Sequence, residues 1–396
     1  MSMFSNRPAL RWLVPAAAAA VVVGGGAALG TFAASAQPAL PPRTAAQLLV
    51  DLQTARLDGL SGTVVQRADL GLPSLPDLGA GQGELDLATL ASGTHTLRVW
   101  YAGPERQRIA LLGTLGETDM IHNGSDLWVW ASQRNEAVHR TLSEAERTEH
   151  RGPASLASGA PVTPQQAAER ALAAVDPTTE VTVGRSARIA GRDAYELVLA
   201  PRDASSLIGQ VRVAIDAKQH VPLRLEVFAK SVQRAVFEVA FTQVDFSRPD
   251  AEQFAFNPPP GTKVVTKDGA PDSAGAGPKL TDRLDAKGGR PADGLRTVGE
   301  GWTAVLVARP DAAGQAAKDD TAKGDAAGGA GRVAGGGDGA AKLDALLGNL
   351  RKVDGDWGSG RLFTSHVLTA LITDDGRVLV GAVTPDRLYE VARTDR

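Results

Sequence analysis

The 396-residue chain has no cysteine. That one absence removes disulfides, thiolate nucleophiles, cysteine-based zinc sites and lipidation of an N-terminal cysteine. Stability must then come from packing alone. Histidine is scarce as well: His95, His122, His139, His150, His220 and His366 show no HxH, HExxH or other ligand spacing, so they read as surface or strand residues and no metal is expected. An excess of one charge is also lacking. With 42 basic and 45 acidic residues the formal charge is −3, and no block of like charge is dense enough to track a phosphate backbone, so no nucleic acid partner is expected. Catalytic signatures are missing too. No G-x-S-x-G or Walker A string occurs, and Gly79-Ala80-Gly81-Gln82-Gly83 lacks the preceding strand that a phosphate loop needs. Asp374-Asp375 precedes Gly376 and reads as a hairpin turn. Ser365-His366 falls in a β-patterned run, where neighbours point to opposite faces and cannot form a dyad. The expectation is a protein that is not an enzyme and has no cofactor.

What is present begins with the N-terminus. Arg7 and Arg11 precede an apolar stretch from Trp12 to Ala34, which ends in the small-x-small string Ala34-Ser35-Ala36. Residues 1–36 are therefore expected to be a signal peptide cleaved after Ala36, or else an N-terminal anchor, since the stretch is long enough to span a bilayer. Both readings place everything after Gln37 outside the cytoplasmic membrane, secreted or anchored to it. At 43% apolar content, the remainder is long enough for a well-buried core and more than one domain.

Along the chain, Thr44 and Gln47 have capping-box spacing, and Leu48, Leu49, Leu52 and Ala55 share a helical face, which predicts a first helix of about four turns. From Leu60 the period changes to two. Leu97, Val99 and Tyr101 face one way and Thr96, Arg98 and Trp100 the other, and similar runs up to Phe241 predict about ten strands joined mostly by short turns. Asn123-Gly124 and Gly191-Arg192 read as reversals of an antiparallel meander. Between two strand groups, Thr163 caps a helix that opens at Pro164 and runs to about Val175. Residues 68–93 carry many leucines among glycines and prolines, too apolar for a solvated loop, and so are expected to cover something. Residues 268–294 read as a flexible linker and 310–341 as a disordered insertion. Around that insertion, residues 295–396 are expected to form a small C-terminal α/β module. It would contain a run Trp302 to Ala308, a helix near Leu343 to Leu350, a hairpin of Leu362–Ile372 with Val378–Val383, and a helix from Pro385.

Three strings carry a resemblance: Leu48-Leu49-Val50-Asp51-Leu52 leading to Leu60-Ser61-Gly62-Thr63-Val64, Asn123-Gly124-Ser125-Asp126-Leu127-Trp128-Val129-Trp130, and Phe254-Ala255-Phe256-Asn257-Pro258-Pro259-Pro260-Gly261-Thr262-Lys263-Val264. In them, and in the order of elements, residues 43–267 resemble the lipoprotein-carrier superfamily (LolA/LolB/LppX-like), especially its MucB/RseB N-terminal and sporulation-protein YdcC-like members. The resemblance implies a mainly β (α+β) fold: an open antiparallel half-barrel covered by helices and a lid loop over a cavity for acyl chains. The strand faces that would line it are Leu97, Val99, Ile109, Leu111, Leu127, Val129, Val211, Val213, Leu225, Val227, Val239 and Phe241, with Leu72, Leu75 and Leu78 in the lid. The same residues equally describe a filled core, because alternation fixes which side chains share a face but not whether space remains between them. The implied partners are lipid acyl chains or lipoproteins. The chain continues past the carrier-like region, and that favours an alternative: an RseB-like envelope-stress regulator that binds an anti-sigma factor or another membrane-bound protein through its C-terminal module. The Ala- and Gly-heavy, cysteine-free composition looks actinobacterial.

Overall fold

The computed structural model describes residues 40–72, 92–113, 116–144, 163–173, 177–267, 295–309 and 350–395. The expected signal segment, the linker 268–294, the insertion 310–341, the lid leucines Leu75 and Leu78, and all but Leu350 of the helix near 343–350 lie outside the described residues.

Helix α1 (Ala45–Thr54) starts on the expected capping box, with Gln47 N donating to Thr44 Oγ1 at 3.2 Å and Thr44 N donating to Gln47 Oε1 at 2.9 Å. It is shorter than expected, because Ala55 turns to an extended ψ of 132°. A meander follows: β1 (Leu60–Asp69), β2 (Ser92–Tyr101), β3 (Arg106–Leu112), β4 (Glu117–Asn123), β5 (Asp126–Ala131) and β6 (Glu136–Thr141). Helix α2 (Pro164–Ala173) then carries the chain to a second meander of β7 (Thr179–Val183), β8 (Ala187–Ile189), β9 (Arg192–Pro201), β10 (Ile208–Asp216), β11 (Pro222–Ala229) and β12 (Ala235–Asp245). The meanders join where β12 pairs with β1. A last strand, β13 (Lys263–Lys267), lies parallel to β6 at one edge.

The result is one 13-stranded sheet in the order β13-β6-β5-β4-β3-β2-β1-β12-β11-β10-β9-β7, with β8 also on β9. Its two ends do not pair, so it is the open half-barrel expected, with more strands than alternation alone revealed. Register shifts in β1·β12, β10·β11 and β11·β12 supply bends that curl such a sheet. Gly62 sits beside the first of them, where a Cβ would run into the Gln243 carbonyl oxygen, so no larger residue fits without a backbone shift. The turn chemistry is as read: Gly124 (φ +65°) reverses β4 into β5, and Ala190 and Gly191 (φ +49° and +76°) reverse β8 into β9.

The second sheet has six antiparallel strands: β14 (Leu295–Val298), β15 (Val305–Ala308), β16 (Arg351–Gly355), β17 (Gly358–Thr364), β18 (Thr369–Thr373) and β19 (Val378–Gly381), in the order β14-β15-β19-β18-β17-β16. Helix α3 (Pro385–Thr394) buries Leu388, Val391 and Ala392 against it. The expected strand Leu362–Ile372 is in fact two strands. Ser365 Oγ accepts from Val367 N at 3.3 Å and Leu368 N at 3.0 Å, which builds a turn with no glycine or proline. Ser365 and His366 therefore fail to form a dyad because Ser365 Oγ holds this turn and the His366 ring meets Ser231, not because of strand parity. The sheets meet along backbone bonds, Leu207 N to Ala382 O at 2.8 Å, Thr384 N to Ser205 O at 2.7 Å and His366 N to Leu70 O at 3.0 Å. Trp302 Nε1 adds a bond to Thr179 Oγ1 at 2.8 Å.

Candidate functional site

Cross-strand register decides which side chains share a face. Leu97 lies opposite Leu111 and Val64, and Val99 opposite Ile109. Val129 faces Met120, which faces Ile109. On the other meander Val239 faces Leu225, Leu225 faces Val213, and Val227 faces Val211. All twelve strand residues expected to share a face belong to, or pack against, one hydrophobic cluster. Leu127, Val129 and Val227 are only partly buried, whereas the others are buried. Leu48 and Leu52 from α1 and Ala167 and Ala168 from α2 complete this cluster, so the helices lie on the same apolar face.

The helices leave space beside them. A cleft of about 780 Å³ opens between the C-terminal end of α1, α2 and strands β2, β3 and the start of β11. Of the expected face residues, Val99, Ile109 and Phe241 line it, while Leu97, Leu111, Val211, Val213, Leu225 and Val239 are packed core outside its walls. Its apolar wall also includes residues that strand alternation could not nominate, among them Leu52 and Leu57 at and after the end of α1, Leu172 on α2, and Val221 and Pro222 at the start of β11. Of the expected lid leucines only Leu72 is described, and it is exposed. The polar residues that line the cleft include Tyr101, Gln107, Glu169 and Gln165, whose Nε2 donates to the Glu169 carboxylate at 2.7 Å. Gln107 is buried and donates to the Pro104 carbonyl at 2.9 Å. Burial, and then the nearby Glu169 carboxylate, push the Tyr101 hydroxyl above its usual pKa.

The opposite face carries charge and aromatic rings. Arg67 pairs with Glu238 at 3.2 Å, and Arg224 with Glu226 at 3.0 Å and Glu196 at 3.4 Å. Trp128 and Trp130 alternate with Leu127 and Val129 along β5 and turn to the other face. They pack under Phe256, at ring distances of 5.1 and 6.1 Å, and not under a regular helix. Beneath the neighbouring turn Ala251–Phe254, Arg108 donates to Asp119 at 2.6 Å and lies over the Trp100 ring. Burial raises the Asp119 carboxyl to about 6 even against the pull of Arg108.

Among the described residues no group of three His, Asp or Glu side chains could hold a metal ion. Ser231 and His366, far apart in sequence, do come together, at 3.1 Å from Oγ to Nδ1, but on an exposed seam between the two sheets. No described helix is long and apolar enough to cross a membrane.

Residues 131–260, from the end of β5 through β12 to the aromatic strap, match the family model described as the MucB/RseB N-terminal domain. Solved structures overlap the chain more loosely. The Pseudomonas aeruginosa MucA/MucB complex is 16% identical, covering 88% of this chain and 96% of that one with a TM-score of 0.39. A LolA-superfamily protein from Nitrosomonas europaea is 14% identical, covering 54% and 99% with a TM-score of 0.20. A putative outer membrane lipoprotein-sorting protein domain from Vibrio parahaemolyticus is 11% identical, covering 53% and 94% with a TM-score of 0.21. None of the curated proteins matches the chain.

Proposed function

We propose that the protein works outside the cytoplasmic membrane and holds the acyl chains of a lipid or lipoprotein, non-covalently, in the cleft of its half-barrel. The observation that carries this reading is the cleft itself, about 780 Å³, whose walls include the apolar side chains of Val99, Ile109, Phe241, Leu52, Leu57 and Leu172. Pockets of this size and lining suit apolar ligands. Burying about fourteen methylenes at about 0.8 kcal/mol each would give roughly 11 kcal/mol gross, enough for useful affinity after association costs of several kcal/mol. No catalytic step is needed, and the chain is read as a binding protein. Residues 43–267 form the binding unit in this reading and residues 295–396 a separate module. Native mass spectrometry of protein purified without detergent from a membrane-containing host tests it. A stoichiometric acyl lipid that is lost in Val99→Asp supports the reading, and a clean apo mass that stays clean after incubation with lipids removes it.

A second reading is favoured by the six-stranded sheet, which acyl-chain binding does not require. It docks on the large sheet through the Leu207–Ala382 and Thr384–Ser205 backbone bonds. By analogy with MucB, crystallised with MucA, that module would capture an anti-sigma factor or another membrane-bound protein. Deleting residues 295–396 would then abolish capture while lipid binding survives. Unchanged capture after the deletion would count against the second reading.

A further inference from the structure

We infer that the face of the six-stranded sheet turned away from α3 is a docking surface for the chain's own residues 343–350, at the end of a crossover from β15 to β16.

Register defines the face. Leu306 of β15 lies opposite Val380 of β19, Val380 opposite Ala370 of β18, and Ala370 opposite Phe363 of β17. In the next row Val378 lies opposite Ile372. These six side chains alternate along their strands with Val305, Val307, Leu362, Leu371 and Leu379, which share a core with α3. They therefore point to the other side of the sheet. All six are half-buried, and among the described residues neither core cluster takes them in. A continuous apolar sheet face needs an element packed against it.

Topology names that element. Four antiparallel pairings lead from β15 to β16, so the two strands run in the same direction. They are about 19 Å apart, at about 4.8 Å per strand. Strands so related cannot be joined by a hairpin and need a crossover that passes over the sheet. Helix α3 already packs on one face, and handedness selects the other. Thr373 N donates to the Arg377 carbonyl at 2.9 Å, toward β19, while the Thr373 side chain has the parity of Leu371 and so shares the α3 face. On an upward strand, an L-residue whose side chain faces the viewer directs its N–H to the right. Seen from the α3 side with β18 upward, β19 and β15 therefore lie to the right, and β17 and β16 to the left. A connection from β15 to β16 over the α3 side would be left-handed. Over the apolar side it is right-handed, the hand that such crossovers nearly always take.

The sequence of the connection offers one surface that fits. Between residues 311 and 341 the only apolar side chain larger than alanine is Val333, whereas Leu343, Leu346, Leu347 and Leu350 recur at the spacing of one helical face. Arg351 lies opposite Leu362, so this run reaches β16 beside Phe363, at the border of the apolar face.

The test is hydrogen exchange of the full-length protein, read by mass spectrometry against free-peptide rates. Peptides spanning residues 342–350 should be protected at least about tenfold. Ile372→Asp places a charge on the face and should abolish that protection while the amides of β19 stay slow. The double variant Leu346→Asp/Leu347→Asp, which leaves every strand of the sheet unaltered, should abolish it too. Free exchange of residues 342–350 in the wild type overturns the inference, as does protection that survives either variant. A dimer that Ile372→Asp dissociates would assign the face to a second copy and overturn it as well.

Discussion

The two faces of the large sheet obey the same alternation and end up with opposite physics. Toward the helices, Leu97, Val213 and Val239 are fully buried within one hydrophobic cluster. On the other face the same strands present Arg98, Arg212 and Glu238, and burial there is bought by pairing. Two buried carboxylates mark the limits of that pairing. Burial would raise Asp216, but Arg192 and the N–H groups of Gln219 and Lys218 outweigh it and hold its pKa below the usual value. At Asp119 burial wins despite Arg108, and the pKa rises to about 6. The apolar face tolerates a cleft, because emptiness there costs only lost contacts. Under-partnered charge on the other face costs desolvation instead.

The largest expected effect comes from breaking a fully compensated charge on the polar parity. Arg192→Leu would leave the Asp216 carboxylate, 1% exposed, without its guanidinium. A loss of about 3 kcal/mol or more is expected in urea unfolding, since an uncompensated buried charge is costly. A midpoint shift equivalent to less than about 1 kcal/mol would show that the two backbone N–H groups alone satisfy the carboxylate.

Next comes the apolar face. Leu97→Ala should cost about 2–5 kcal/mol, because the side chain is completely buried away from the cleft and its neighbours cannot all collapse into the void. Val99→Ala, at the cleft wall, removes less volume from a site that already borders space, and should change ligand affinity more than stability. Equal stability losses at both positions would mean that the cleft is closed in solution.

How much of this was legible follows from the same physics. The face shared by Leu97, Val99, Ile109 and Leu111 was readable because each strand pairs a buried side with a wetter one. Strand β4 announces itself only through the Asn123-Gly124 turn that follows it, because Thr118, Asp119, Met120, Ile121 and His122 are all buried and show no alternation. Polar residues at buried positions erase the period. Strand β6 is polar on both faces, and β13 is a short parallel edge after a proline-rich turn, so neither had a hydrophobic rhythm to read. The cleft was only half legible. Val99, Ile109 and Phe241 came from the pattern, whereas Leu57, Leu172 and Glu169 join the wall only once α2 is laid against β11 and β12. No local rule encodes that placement.

Asp119 turns the contrast between the faces into a pH dependence. Its folded pKa lies near 6, above the ordinary 3.8, so the folded state keeps a proton that the unfolded chain has released. Between those values stability falls as pH rises, which is opposite in sign to Asp216, whose contribution is lost as pH falls below the ordinary carboxylate range. Asp119→Asn removes the titration. The stability difference, variant minus wild type, should therefore climb in the variant's favour from about pH 4 to about pH 6 and then level off. Urea midpoints measured across that range decide it, and a flat difference would mean that Arg108 holds the carboxylate ionised throughout.

The smallest effect is expected where the polar face meets water. Arg67 and Glu238 pair at 3.2 Å between neighbouring strands, but Arg67 is mostly exposed. Exposed pairs contribute about 0–1 kcal/mol, because solvent screens the attraction and ordering two side chains costs entropy. Arg67→Ala should therefore move the midpoint by less than about 1 kcal/mol, and less still at high salt. Its neighbour Gln66 points the other way, is buried, and lies opposite Val239. Gln66→Ala should consequently cost more than Arg67→Ala, even though it deletes no charge. If the order were reversed, the ion ladder on the outer face, and not the packed inner face, would be holding β1 between β2 and β12.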